Sequence, residues 1–157
     1  MNIEDLKGLM DGFDPASLLP ELDGILSGVA QAVRIAVLVG PIALLVLGLG
    51  YLFLAPREAN YLFGYRCTFG MGSVEAWRFT QRLAGMVWGA LGLALTLVMF
   101  SLTKKFAGQD VNQVLGLGVK YVLWEAGLAA ISCLAINTVV MTRFTYSGDR
   151  RKDRAGK

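Results

Sequence analysis

A chain of 157 residues that is 55% apolar, with a mean hydropathy of +0.53, has room for one compact domain and too little polar surface for an ordinary soluble one; it must meet lipid. It has no His, and its two cysteines, Cys67 and Cys133, lie far apart in different kinds of segment, which fits neither a disulfide framework nor a Cys/His metal centre. The net charge of +3 is spread unevenly: Glu4, Asp5, Asp11, Asp14, Glu21 and Asp23 face Lys7 alone near the N-terminus, whereas Arg143, Arg150, Arg151, Lys152, Arg154 and Lys157 outnumber Asp149 and Asp153 at the other end.

Residues 1–31 read as an amphipathic acidic region. Ile3, Leu6, Leu9, Met10 and Phe13 recur at helical spacing opposite Glu4, Lys7 and Asp11, and after Pro15 and Pro20 a second such stretch (Leu22, Ile25, Leu26, Val29) leads toward the membrane. An acidic polar face is repelled by anionic lipid, so this region is expected to pack on protein.

Residues 33–142 read as the membrane domain. Residues 35–55 carry no charge and, at about 1.5 Å per residue, just cross a hydrocarbon core of roughly 30 Å. Gly40-Pro41 inside this run predicts a kink. Residues 83–103 are also uncharged, and residues 121–142 contain a single ionisable group, Glu125. The fold class is therefore all-α and integral to the membrane, with three transmembrane helices behind an amphipathic N-terminal region. Tyr51, Tyr121 and Trp124 fall near the ends of these runs, where aromatic rings prefer the interface.

The first loop, residues 56–82, is aromatic and basic rather than a bland linker. Tyr61, Phe63 and Tyr65 alternate, Gly64 permits a turn, and Arg66 follows. Ser73 suits an N-cap with Glu75 in the first turn, which predicts a helix from Val74 running straight into the second span. On it Trp77, Gln81 and Trp88 fall within about 40° of one another, beside a stripe of Arg78 and Arg82. Arg66 suits a carboxylate or lipid phosphate through its guanidinium fork, or an internal pairing with Glu75.

The order Pro56, Asn60, Gly64-Tyr65-Arg66, Met71, Glu75, Trp77, Phe79 and Gly85, set directly between two apolar spans, resembles the signature of the SdpI family of bacterial membrane proteins. The resemblance covers residues 55–100, with Cys67 where the family has Thr and Gly70 where it has Ser. It implies a non-enzymatic immunity-type protein: the family's named member protects its producer from a secreted antimicrobial peptide and recruits a DNA-binding repressor to the membrane. It also implies a toxin peptide or regulatory protein as partner, and a bacterial cytoplasmic (inner) membrane.

Asn60, Tyr65, Arg66, Glu75, Trp77 and Gln81 are the candidate residues for a ligand or partner. Glu125 and Asn137 are the intramembrane polar groups. A carboxyl inside a span by default signals an ion path or a buried pair, although Glu125, about 7–8 Å along a helix from Lys120, could instead be solvated near the headgroups. Gly85, Gly89 and Gly92 form a small-residue face suited to helix packing, as do Ala126, Ala130, Cys133 and Asn137 on span three. Such faces could also build a homo-oligomer, a structural reading distinct from immunity; a proton-coupled transporter using Glu125 is a third.

The basic tail, residues 143–157, reads as a topology signal or lipid contact, without direct nucleic-acid binding. Loop one and the tail hold ten of the 15 Lys and Arg residues against five on the other side, which orients the C-terminus to the cytoplasm and the N-terminus outside. No phosphate-cradling glycine motif, nucleophile with a His base or pair of carboxylates is visible, so no enzyme, cofactor or metal is expected.

Overall fold

The computed structural model describes residues 19–59 and 62–151, with side chains from residue 24 onward. The amphipathic run from Ile3 to Phe13 and the candidate residue Asn60 lie outside the described residues. Three helices carry the fold: α1 (Leu19–Phe53), α2 (Val74–Thr103) and α3 (Val111–Arg143), with a 3-10 turn at Lys104–Phe106 between the last two. All three are long and apolar enough to cross a membrane.

Each helix outruns its apolar stretch. At 30 to 35 residues, they extend roughly 45–50 Å, beyond the roughly 30 Å that lipid requires. The second amphipathic stretch is the start of α1 rather than a separate element. Ser73 caps α2 by accepting a hydrogen bond from the Ala76 N–H at 3.1 Å, so the helix begins at Val74 as its sequence predicts. Helix α3 starts ahead of the apolar run at residues 121–142: residues 111–120 are helical as well. Asp110 caps them through the Asn112 N–H at 3.1 Å, and the gain of backbone hydrogen bonds outweighs the lower apolarity of that turn.

The α1–α2 contact is made by glycine. A Cβ on Gly48 would strike the backbone of Gly89, one on Gly92 the backbone of Leu45, and one on Gly85 would lie 2.6 Å from the Leu52 side chain and 2.9 Å from the Gly48 carbonyl. With no side chains between them, the two backbones approach and gain the dispersion contacts that hold helices together in lipid. The glycine face of α2 is thus filled by α1 of the same chain.

Helix α3 lies across this pair with Val114, Gly118, Glu125, Ser132, Ile136 and Val140 inward. Gly118, Glu125 and Ser132 recur every seven residues, the repeat of a left-handed helix seam. Of the expected small-residue face, about 100° around the helix from this seam, Cys133 and Asn137 meet Tyr65, while Ala126 and Ala130 are exposed within the chain. Outward, Val46, Leu97, Ile131 and Leu134 are each more than 60% exposed, an apolar surface suited to lipid.

Candidate functional site

Loop one folds onto the first two turns of α2 as a cap. At Gly64 the backbone turns with φ +129°, and a Cβ there would lie 2.7 Å from two Trp77 ring carbons and 3.0 Å from Gln81 Oε1, so only glycine fits. The next residue is gripped from both sides. The Tyr65 N–H donates to Gln81 Oε1 at 2.8 Å, and Gln81 Nε2 donates to the Tyr65 carbonyl at 2.7 Å, the pairing one strand would offer another. Trp77, with no exposed surface, donates its indole N–H to the Pro56 carbonyl at 2.8 Å and ties the loop's other end to the same helix.

The Tyr65 ring reaches past α2 to α3. Its hydroxyl lies 3.0 Å from Asn137 Oδ1 and 3.2 Å from the Cys133 carbonyl, and its ring stacks edge-on against Trp88 at 5.3 Å and Tyr51 at 6.5 Å. Tyr51 therefore serves an internal aromatic cluster, with Phe63 at 5.5 Å, rather than standing alone at the interface. Trp88 donates to Ser132 Oγ at 3.1 Å and locks α2 to α3 one layer deeper. Burial pushes the Tyr65 phenol well above its ordinary range, with the nearby Cys133 thiol adding to the shift. Tyr65 is thus a neutral donor at physiological pH.

The C-terminal segment completes the cap. Residues 144–151 fold back over loop one, stabilised by the Gly148 N–H to the Thr145 carbonyl at 3.0 Å and the Thr145 N–H to the Asp149 carbonyl at 2.9 Å. Gly148, at φ +83°, presses its backbone against Gly72, and Ser73 donates to the Gly148 carbonyl at 2.9 Å while capping α2. Phe144, buried, stacks on Phe79 at 5.5 Å, with the Arg143 guanidinium 5.0 Å above the same ring. Glu75 pairs with Arg150, not with Arg66, because the docked turn brings Arg150 to the start of α2. The tail is therefore more than a charge signal. A turn-forming Ser147-Gly148-Asp149 was the available clue, masked by the basic run that follows it.

The candidate residues divide by environment. Tyr65, Trp77 and Gln81 are buried and spend their polar groups on the cap, Asn137 receives Tyr65, and Glu75 holds the tail. Arg66 is different. It is exposed, enters no ion pair among the described residues, and edges an open groove of ≈ 350 Å³ between loop one and α3. Thr68, Asn137, Thr138, Leu134 and Met141 line the rest, so a cation and two or three hydrogen-bonding groups stand over an apolar floor. Thr138 was not singled out by spacing, since only the fold of loop one gives it a neighbour. Cys67 faces the same groove half-buried, and burial pushes its thiol up. Among the described residues no His, Cys, Asp and Glu cluster could hold a metal ion.

The fold and its cap define a multi-pass integral membrane protein of three helices, closed at one end by loop one and the C-terminal turn. The model of the SdpI/YfhL protein family matches residues 57–142, more than half of the chain, and the chain belongs to that family. The match takes in loop one, α2 and nearly all of α3, and it stops short of the docked C-terminal turn. No curated protein and no solved structure matches the chain.

Proposed function

We propose that this is a non-enzymatic immunity-type protein of the bacterial inner membrane, with loop one and the C-terminal turn on the cytoplasmic side, whose ligand-facing surface is the Arg66 groove. Membership of the SdpI/YfhL family supports the immunity class, and the excess of Lys and Arg on the cap side supports the orientation. The single observation that carries the site is the contrast within loop one: Arg66 is exposed, and Tyr65, Trp77 and Gln81 beside it are buried in cap bonds. A planar guanidinium over an apolar floor suits the carboxylate of a membrane-inserted peptide, with Asn137 and Thr138 as further hydrogen-bond partners.

The test is a challenge of cells producing the chain with a panel of secreted bacterial antimicrobial peptides, at matched membrane levels of wild type, Arg66→Ala and Arg66→Lys. Protection falls in both variants and further in Arg66→Ala, since Lys keeps the charge without the fork. Full protection by Arg66→Ala would overturn the assignment. A structural homo-oligomer is the second reading: α1 fills the glycine face of α2, but Ala126 and Ala130 of α3 stay exposed and free to meet another copy.

A further inference from the structure

Glu125 lies outside the cap and takes no part in the proposed Arg66 site. It is only 6% exposed, on the inward seam of α3, and its Oε1 is the one buried side-chain polar atom without a hydrogen-bond partner among the described residues. Its Oε2 faces Gly40 of α1, close enough that a Cβ on that glycine would lie 3.0 Å away. The next residue, Pro41, is fully buried and has no N–H, so the Val37 carbonyl one turn earlier lacks its helical donor. A carboxyl oxygen without a partner thus faces the turn of α1 in which Pro41 frees a backbone carbonyl.

Among the described residues no charge compensates Glu125. Arg34 of α1 and Lys104, at the end of α2, are both held over the Phe100 ring, at 5.0 and 4.9 Å, and Lys120 of α3 is exposed. The sole ion pair among the described residues is Glu75 with Arg150 at the cap. Val37, Leu95, Met99 and Leu128 pack together nearby as an apolar cluster. An ionised carboxylate left unpaired in such a setting carries a large desolvation cost, and the neutral acid, which supplies a donor, removes it. Solvation near the headgroups, the alternative that the spacing from Lys120 left open, does not hold for a side chain turned into the bundle.

We propose that Glu125 is a proton-binding site in the membrane interior, its protonated carboxyl closing the α1–α3 contact at Gly40 and Pro41. Loss of the proton leaves acceptors facing one another and loosens that contact, which makes the packing of α1 responsive to pH.

Dicyclohexylcarbodiimide tests this on the purified full chain in detergent. The reagent reacts with protonated carboxyls in apolar surroundings: the acid proton moves to a carbodiimide nitrogen, the carboxyl oxygen bonds to the central carbon, and nothing is released. Peptide mapping is expected to place one adduct at Glu125 at acid pH, with labelling falling about tenfold per pH unit once the carboxyl ionises. Glu125→Gln removes the adduct and flattens the pH dependence of thermal stability; should that variant fail to fold, the wild-type labelling profile decides alone. An absent adduct, or labelling that does not change with pH, overturns the proposal. Suppression by sodium at constant pH also overturns it, in favour of a cation site.

Discussion

Replacing Gln81 with Leu removes the clamp on Tyr65 while keeping the bulk of the side chain. Both of the bonds it makes to the Tyr65 backbone are buried, at 2.8 and 2.7 Å, and Leu supplies neither the donor nor the acceptor. At about 1–3 kcal/mol for each buried backbone group left unsatisfied, the loss is about 2–6 kcal/mol. Only the attachment of loop one depends on these bonds, so the helix bundle keeps its glycine contact and the damage is local. Titration with sodium dodecyl sulfate in mixed micelles reads the stability, and limited trypsin digestion reads release of the loop through cutting at Arg66. Gln81→Glu is expected to do no better, because it keeps an acceptor for the Tyr65 N–H and sets a second oxygen against the Tyr65 carbonyl. A Gln81→Leu protein within about 0.5 kcal/mol of wild type, with loop one uncut, would refute the clamp.

Other consequences follow from the same geometry. Trp77→Ala empties a fully buried site and is expected to cost about 3–5 kcal/mol, whereas Trp77→Phe loses mainly the bond to Pro56, at about 0.5–1.5 kcal/mol, both read by the same titration. Gly92→Ala forces α1 and α2 apart and lowers the unfolding midpoint, while Gly89→Ala, whose Cβ meets nothing within 4 Å, leaves it unchanged. At the tail, Gly148→Ala undocks the turn at a cost of about 1–3 kcal/mol from its positive φ alone, seen as new proteolysis after Phe144. Arg150→Ala, which breaks an exposed ion pair, costs under about 1 kcal/mol. Because burial raises the Cys67 thiol, its reactive thiolate forms only above the ordinary thiol range. Maleimide labelling of Cys67 at neutral pH is therefore slower in the native protein than in the denatured one, and it rises with pH.

The three spans and the start of α2 were legible because each rests on local chemistry: uncharged runs of membrane length, and Ser73 three residues before the amide it caps. The convergence of Trp77, Gln81 and Trp88 was legible from helical periodicity, but not what they converge on. Periodicity places side chains on a face and leaves open whether that face meets a ligand or the chain's own loop. Here the face meets Tyr65, whose partners Gln81 and Asn137 lie 16 and 72 residues away in the chain. The docked turn at residues 144–151 was hidden for the same reason, since its contacts with Gly72 and Ser73 reach back across α2 and α3 in sequence. Span three's small-residue face was legible only as a face: Cys133 and Asn137 meet Tyr65, while Ala126 and Ala130 face outward, because alanine is equally at home against lipid or another helix.

Among the described candidate residues of loop one, Arg66 is the one that is exposed without an ion-pair partner, while Tyr65, Trp77 and Gln81 are bound into the cap. Arg66→Ala assayed in parallel for stability and for protection against the antimicrobial peptides tests this contrast most directly. The account predicts a protein within about 0.5 kcal/mol of wild type that has lost its protection. An Arg66→Ala protein that unfolds, or one that protects as well as wild type, would contradict it.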